Sequence, residues 1–341
     1  MTWQGPATLA MVAAEANVSV ATASRVLNGS ERRVGEPHRS RVLRAAERLG
    51  YLPNALAQAT ARGASNLVGL IVHDVADPYF STIADGVVRI AEERGFVVVL
   101  GSTRRITEQE LKYVTTLHSQ RAQAIIIAGS RTTDQTYLAR LNKELDNFRG
   151  GGGRVAVISQ NRLGSHTVQP LNRAGARDLA EALYDLGHRR FIVLAGPKNL
   201  TTSADRLSGF LKGLAQRGVA RRSVQVLHGA FTRDGGFELG SRIAEQDIGG
   251  ACVFATNDVM AVGAMAAFRA RGIAVPDDVA VAGFDDIATL RDLVPSLTTV
   301  RLPLEEMGVR AAELALNTAE PSPRVISVRG EVVLRESTRP R

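Results

Sequence analysis

A chain of 341 residues is long enough for two or three domains and a sizeable core, and its 45% hydrophobic content is ordinary for a globular protein. Residues 1–64 hold eight arginines and four glutamates, with no lysine or aspartate, and so carry half of the formal charge of +8. The single cysteine, Cys252, excludes a disulfide within one chain, and no run approaches the ~18 apolar residues of a membrane span.

The first predicted element runs from Leu9, with Leu9, Val12, Ala13 and Ala16 at helical spacing and Thr8 as its N-cap. Asn17-Val18-Ser19 makes a tight turn. Ser19 then caps a second helix, Val20 to Leu27, with Ala23, Val26 and Leu27 on its apolar side. Small Ala13 and Ala23 allow a close crossing. Two short helices, a tight turn and a polar outer face make a helix-turn-helix, although a helical hairpin packed on a larger domain has the same spacing. Val20, Ala21 and Arg25 are then placed to face DNA bases. Ser19, Thr22, Ser24 and Asn28 are placed to contact phosphates. Arg25 is the strongest candidate, because arginine to guanine is the commonest specific contact. The local basic excess suits a polyanion, or equally a solvated basic face. A third helix is expected over Glu36 to Leu49, with Val42, Ala45, Ala46 and Leu49 turned to the first two. Pro37 sits in its first turn and Gly50 ends it. Tyr51 and Leu52 close the small core.

The order Val18-Ser19-x-x-Thr22-x-Ser24-Arg25-Val26-Leu27-Asn28 resembles the N-terminus of the LacI/GalR family of bacterial transcription regulators. The resemblance continues through Leu49 to Ala57 and covers nearly everything from Thr8 to Thr338. It implies a helix-turn-helix domain over residues 1–52, a hinge over 53–65 and an effector-binding and dimerisation domain over 66–341. In the family the hinge folds only on DNA, where two copies pair and wedge a leucine into the minor groove. Asn54, Leu56 and Thr60 are the hinge candidates here. Thr60 stands where the wedging leucine belongs, so a weaker central kink is expected.

From Asn66 short apolar runs alternate with amphipathic helices, eight times over: LVGLIV, FVVVL, AIIIA, RVAVIS, RFIVLA, VQVLH, ACVFA and VAVAGF. Unbroken hydrophobic strands separated by helices predict parallel sheets covered on both faces. Thr107-x-x-Glu110 reads as a capping box. The fold class is therefore α/β: a three-helix helix-turn-helix domain and hinge, then two doubly wound parallel-sheet lobes. The resemblance makes these lobes periplasmic-binding-protein-like. The break is expected near Ser165–Asn172, where polar residues and Pro170 interrupt the alternation. The first lobe then spans about 66–169 and 299–325, the second about 170–297 and 326–338. Thr298 to Leu302 reads as a strand and Leu304 to Leu316 as a helix. The last strands, VISV and EVVLRE, are assigned to the second lobe. Cys252 is expected in the core.

Open parallel sheets bind ligands beyond the carboxyl ends of their strands. In the first lobe that places His73, Asp74, Asp77, Pro78, Tyr79 and Phe80 at the crevice, then Ser102, Thr103, Ser130 and Arg131, then Gln160, Asn161 and Arg162. In the second lobe it places Asn172, Arg206, Phe231, Asn257, Asp258 and Asp285 there. The resemblance gives Arg206, Asn257 and Asp285 an effector-binding role and puts the aromatic at Phe231. The chemistry agrees: a carboxylate accepts from sugar hydroxyls, arginine donates in a fork, and a flat ring covers an apolar sugar face. Two plainer roles compete, a helix cap for Asn257 and a turn for Asp285. Leu171 stands where the family often has an acidic residue.

The reading is a regulator, most often a repressor in this family, that binds a palindromic operator in double-stranded DNA as a homodimer in the cytoplasm. A small-molecule effector, a sugar or alternatively a purine, would control it. No enzyme, cofactor, metal or membrane role is expected, since no GxGxxG follows a strand, no GxxxxGK[ST] occurs and no His/Cys cluster is present. A nucleotide-dependent enzyme and a stand-alone solute-binding protein are the alternatives. The second leaves residues 1–64 unexplained.

Overall fold

In a computed structural model, which describes residues 7–27, 34–51, 65–317 and 322–340, the chain divides into two compact units, Met1–Asn66 and Leu67–Arg341. The first unit is three helices: α1 (Leu9–Glu15), α2 (Val20–Leu27) and α3 (Glu36–Leu49). The Met11 N–H donates to the Thr8 hydroxyl at 3.3 Å and caps α1. Asn17 takes a left-handed φ of 49°, which asparagine tolerates better than most residues, and so turns the chain between α1 and α2. The Thr22 N–H donates to Ser19 Oγ at 3.1 Å and caps α2. Pro37 lies in the first turn of α3, and Gly50 ends it at φ 61°. The buried set is Val12, Ala13, Ala16, Ala23, Val42, Ala45 and Ala46, with Leu9, Val26, Leu27, Leu49 and Tyr51 packed against it. Asn28, Leu52 and the hinge candidates Asn54, Leu56 and Thr60 lie outside the described residues.

The second unit holds two parallel sheets. The first contains β1 (Leu67–Val72), β2 (Val97–Ser102), β3 (Ala124–Ala128), β4 (Arg154–Ile158), β5 (His166–Pro170) and β11 (Val325–Val328), in the order β11-β5-β4-β3-β1-β2. The second contains β6 (Arg190–Ala195), β7 (Gln225–His228), β8 (Ala251–Ala255) and β9 (Ala280–Ala282), in the order β7-β6-β8-β9. The expected helices lie between them: α4 (Pro78–Glu93), α5 (Thr107–Ser119), α6 (Gln135–Gly150), α7 (Asn172–Asp185), α8 (Thr201–Gln216), α9 (Arg233–Ile243), α10 (Asp258–Arg269) and α11 (Leu304–Leu316). β10 (Thr299–Arg301) and β12 (Glu331–Val333) pair antiparallel.

Alternation along each strand explains the double winding. In the first sheet Val68, Leu70, Ile126 and Ile158 face Ile83, Val87 and Met307 on α4 and α11. Ile71, Ile125, Ile127 and Val157 face Leu111, Val114, Leu141 and Leu145 on α5 and α6. In the second sheet Val193, Cys252 and Phe254 face Leu179, Leu183 and Phe210 on α7 and α8, while Leu194, Val253 and Ala255 face Leu239, Met260 and Phe268. α4 and α11 meet at glycine: a Cβ on Gly86 would run into the Glu305 carbonyl, and one on Gly308 into that of Ile83.

Three expectations need correction. The polar stretch His166–Pro170 is a strand, β5, because β4 and β11 on either side supply its main-chain partners. VISV belongs to the first sheet, with Val325–Val328 in register against Thr167–Pro170. Beyond β12 the chain does reach the second lobe, where the Val281 N–H donates to Ser337 O at 3.0 Å. The third correction is the capping box. Ile106, not Thr107, is the N-cap of α5, and no side chain caps it. Glu110 turns inward instead, because Arg131 from the end of β3 claims its carboxylate at 3.0 and 3.1 Å.

Candidate functional site

The outer face of α2 is the first candidate. Ser19, Val20, Ala21 and Arg25 are exposed, Thr22 and Ser24 are half-buried, and Ala23 is fully buried. The expected base-facing and phosphate-facing residues thus share one accessible surface. The Ser19 hydroxyl lies 2.8 Å from that of Thr22, beside the cap.

The second candidate is a cleft in the Leu67–Arg341 unit, between the carboxyl ends of the two sheets. Tyr79, Phe80, Asn172, Arg206, Phe231, Asn257 and Asp285 all line it. Of the expected strand-end residues, Asp74, Pro78, Ser102, Thr103, Arg131, Asn161, Arg162 and Asp258 do not; the Asp74 carboxylate accepts the Ala76 N–H at 3.0 Å within its own turn. His73, Ser130 and Gln160 line the cleft from the ends of β1, β3 and β4. Arg105 and Thr202 line it as well. Sequence reasoning missed both. Arg105 lies in a polar turn and Thr202 in the first turn of α8, and nothing local tells either from a solvated residue.

Arg206 organises the cleft. It is 2% exposed, and its guanidinium forks onto Asp285 at 2.6 and 3.1 Å. Its Nε–H donates to Asn172 Oδ1 at 2.9 Å, and a further N–H donates to Thr256 O at 2.9 Å. The Phe284 ring lies 3.9 Å from the guanidinium carbon. Asp285 holds a positive φ of 127° at the turn after β9, so both plain and functional roles meet in one residue. Burial pushes its carboxyl up to about 6, against the pull of Arg206. Asn257 also serves twice: its Oδ1 accepts the Met260 N–H at 3.1 Å and caps α10, which leaves its NH2 group to the cleft.

His73 is locked. Its Nε2–H donates to Ser130 O at 3.1 Å, so Nδ1 accepts the Thr103 hydroxyl at 3.2 Å. Burial, with Arg131 nearby, pushes its pKa down to about 4, and the ring is neutral near pH 7. The Phe80 ring sits edge-on to it, with Tyr79 edge-on to Phe80 in turn. Behind this wall Arg131 and Glu110 close a fully buried fork that Tyr137 joins through its hydroxyl. One rim of the cleft is tied across. The Thr202 N–H donates to Ser130 Oγ at 2.9 Å, Gln160 Nε2 to the Thr202 hydroxyl at 2.9 Å, and the Thr201 N–H to Arg131 O at 3.0 Å. Among the described residues no group of His, Cys, Asp and Glu could hold a metal ion. None of the described helices is long and apolar enough to cross a membrane.

Two family models match the chain. Residues 8–54 match the family "Bacterial regulatory proteins, lacI family", and residues 180–338 match "Periplasmic binding protein-like domain". The HTH-type transcriptional regulator GalS of Salmonella typhimurium is 35% identical over 314 residues, covering 92% of this chain and 90% of GalS. The HTH-type transcriptional repressor CytR of Escherichia coli is 30% identical, covering 91% and 89% of the two chains. Among solved structures, the lac repressor dimer bound to operator and the anti-inducer ONPF aligns with a TM-score of 0.80 at 26% identity, covering 98% of this chain and 99% of that one. A complex of the transcriptional regulator CelR with cellobiose aligns with a TM-score of 0.68 at 30% identity, covering 97% and 99%. With its helix-turn-helix unit and its periplasmic-binding-protein-like domain, the chain belongs to the LacI family of bacterial transcription regulators and is not an enzyme.

Proposed function

We propose that the protein is a repressor that binds a palindromic operator as a homodimer and is released or tightened by a sugar in the cleft. The observation that carries this reading is the cleft itself. A buried carboxylate and guanidinium, three side-chain amides and the Phe231 face converge there, on the same chain as an exposed α2 surface. Forked donors, paired acceptors and a flat apolar wall are what a polyol with one apolar face requires.

Ser19, Val20, Ala21, Thr22, Ser24, Arg25 and Asn28 carry the DNA contacts in this reading. Asn54, Leu56 and Thr60 form the hinge. One helix-turn-helix reads one half-site, so two copies must be held in register. Val97, Val99 and Leu100 on the edge strand β2 are 54%, 39% and 41% exposed, and a second copy would cover them. Effector binding would shift the two lobes, and with them the spacing of the hinges; such coupling is typically about 1–3 kcal/mol. A regulator of this kind acts where the chromosome is, in the cytoplasm.

The test is selection of genomic fragments bound by the full chain, followed by a sugar and nucleoside panel scored for release. An inverted repeat among the fragments and a sugar that changes their retention are expected. A protein that stays monomeric and ignores every palindromic probe at low salt overturns the reading.

A further inference from the structure

We propose that the ligand of the cleft is a polyol bearing one anionic group, a phosphate ester or a carboxylate, and that Arg105 receives that group. The proposal rests on the effector reading above. It starts from how the cleft's charges are paired. Arg206 is forked onto Asp285, and Arg131 onto Glu110, so both buried pairs are closed within the protein.

Arg105 is different. It lies in the turn after β2, where Arg104 and Arg105 both take left-handed φ values, 49° and 61°. The turn is fixed by the Arg104 N–H donating to His73 O at 2.7 Å and the Arg105 N–H to Thr103 Oγ1 at 3.2 Å. From there the half-buried side chain lines the cleft. Its guanidinium carbon is 5.6 Å from the ring centroid of Phe231, which belongs to the other lobe. Its Nε is buried without a hydrogen-bond partner, and among the described residues no carboxylate comes within 4.0 Å of it. The nearest acids, Asp74 and Asp77, act on it from farther away, and each is bonded within its own turn, to the Ala76 and Tyr79 N–H groups.

A guanidinium in this state has no acceptor on its Nε and no counter-charge in contact with it. A sugar hydroxyl supplies only the first. A phosphate or carboxylate supplies both, through paired oxygens matched to the fork. The Thr202 hydroxyl, which accepts from Gln160 and is left to donate, and the Asn257 amide remain as neutral partners for the polyol hydroxyls. Asp77 is the like charge an incoming anion would meet, so recognition depends on the geometry of the Arg105 fork rather than on a net positive cleft.

The test measures binding to the full chain by calorimetry and thermal shift. The probes are glucose and ribose, glucose 6-phosphate and ribose 5-phosphate, glucuronate, and inorganic phosphate alone. They are run on the wild type, on Arg105→Gln and on Arg104→Gln, an exposed neighbour. An anionic probe should bind more tightly than its neutral parent and weaken at least tenfold in Arg105→Gln, with Arg104→Gln unchanged. Comparison of the phosphate and glucuronate arms then tells which anion the site prefers. Circular dichroism and DNA binding of Arg105→Gln without ligand check that it is folded. Neutral sugars that bind at least as well as every anionic probe would overturn the proposal and leave the effector reading standing. So would anionic binding indifferent to Arg105→Gln. A panel in which nothing binds sinks both.

Discussion

At the scale of single residues, the charges decide what can be measured. Arg25 is exposed on α2 beside Ala21, and Arg25→Ala should weaken operator binding by about 1–3 kcal/mol and relax preference at one base step. Binding-site selection with the variant checks it; an unchanged preference removes Arg25 from the readout. A second prediction concerns Asp258, which is fully buried and pushed up to about 8 by burial, with the charge of Asp285 adding to it. It accepts the Ile287 N–H at 3.0 Å and lies 2.6 Å from the Thr299 hydroxyl. Its folded pKa stands above the unfolded value of 3.8, so its contribution is whole below 3.8 and lost as pH rises through 8. The His73 pKa, held at about 4, works the other way, lowering stability as pH falls below 6.5. Above 6.5 the Asp258 effect should dominate, at up to about 1.4 kcal/mol per pH unit. Asp258→Asn keeps one acceptor and one donor and should flatten urea stability between pH 6.5 and 8. A slope unchanged by the substitution would assign the pH dependence to other groups.

At the scale of elements, the α4–α11 crossing is the tightest point of the first lobe. Gly86→Ala should cost about 1–3 kcal/mol, read as a lower urea midpoint, because the added methyl meets backbone rather than a movable side chain. Which elements could be read from the residues follows from where their determinants lie. α3 was legible to the residue because Pro37 and Gly50 mark its two ends locally. β5 was not, since His166, Thr167 and Gln169 look like a loop until β4 and β11 flank them. Glu110 looked like a cap because its partner Arg131 is 21 residues away. Arg206 and Asp285 were found through motif resemblance and sit in one fork. Arg105 gave no signal, because its meaning comes from Phe231 across the cleft.

At the scale of the whole molecule, the bare edge of β2 is where the proposed dimer would form. Leu100→Glu, at a site 41% exposed, should leave the fold intact and turn the proposed dimer into a monomer. Sedimentation would read the mass, and the monomer should lose most of its affinity for a palindrome while a single half-site is held as before. A dimer that survives the substitution would move the interface elsewhere.

One face of each sheet has a core of its own, but the other faces of the two sheets share one. Val168 and Met307 belong to the same continuous cluster as Phe210, Phe254 and Phe284, and Val300 and Leu302 on the crossing segment are part of it too. Melting one lobe would therefore strip partners from the other, so heating Leu67–Arg341 should give one sharp endotherm rather than two. Among its described residues the three-helix unit has a buried set of its own, chiefly alanine and valine.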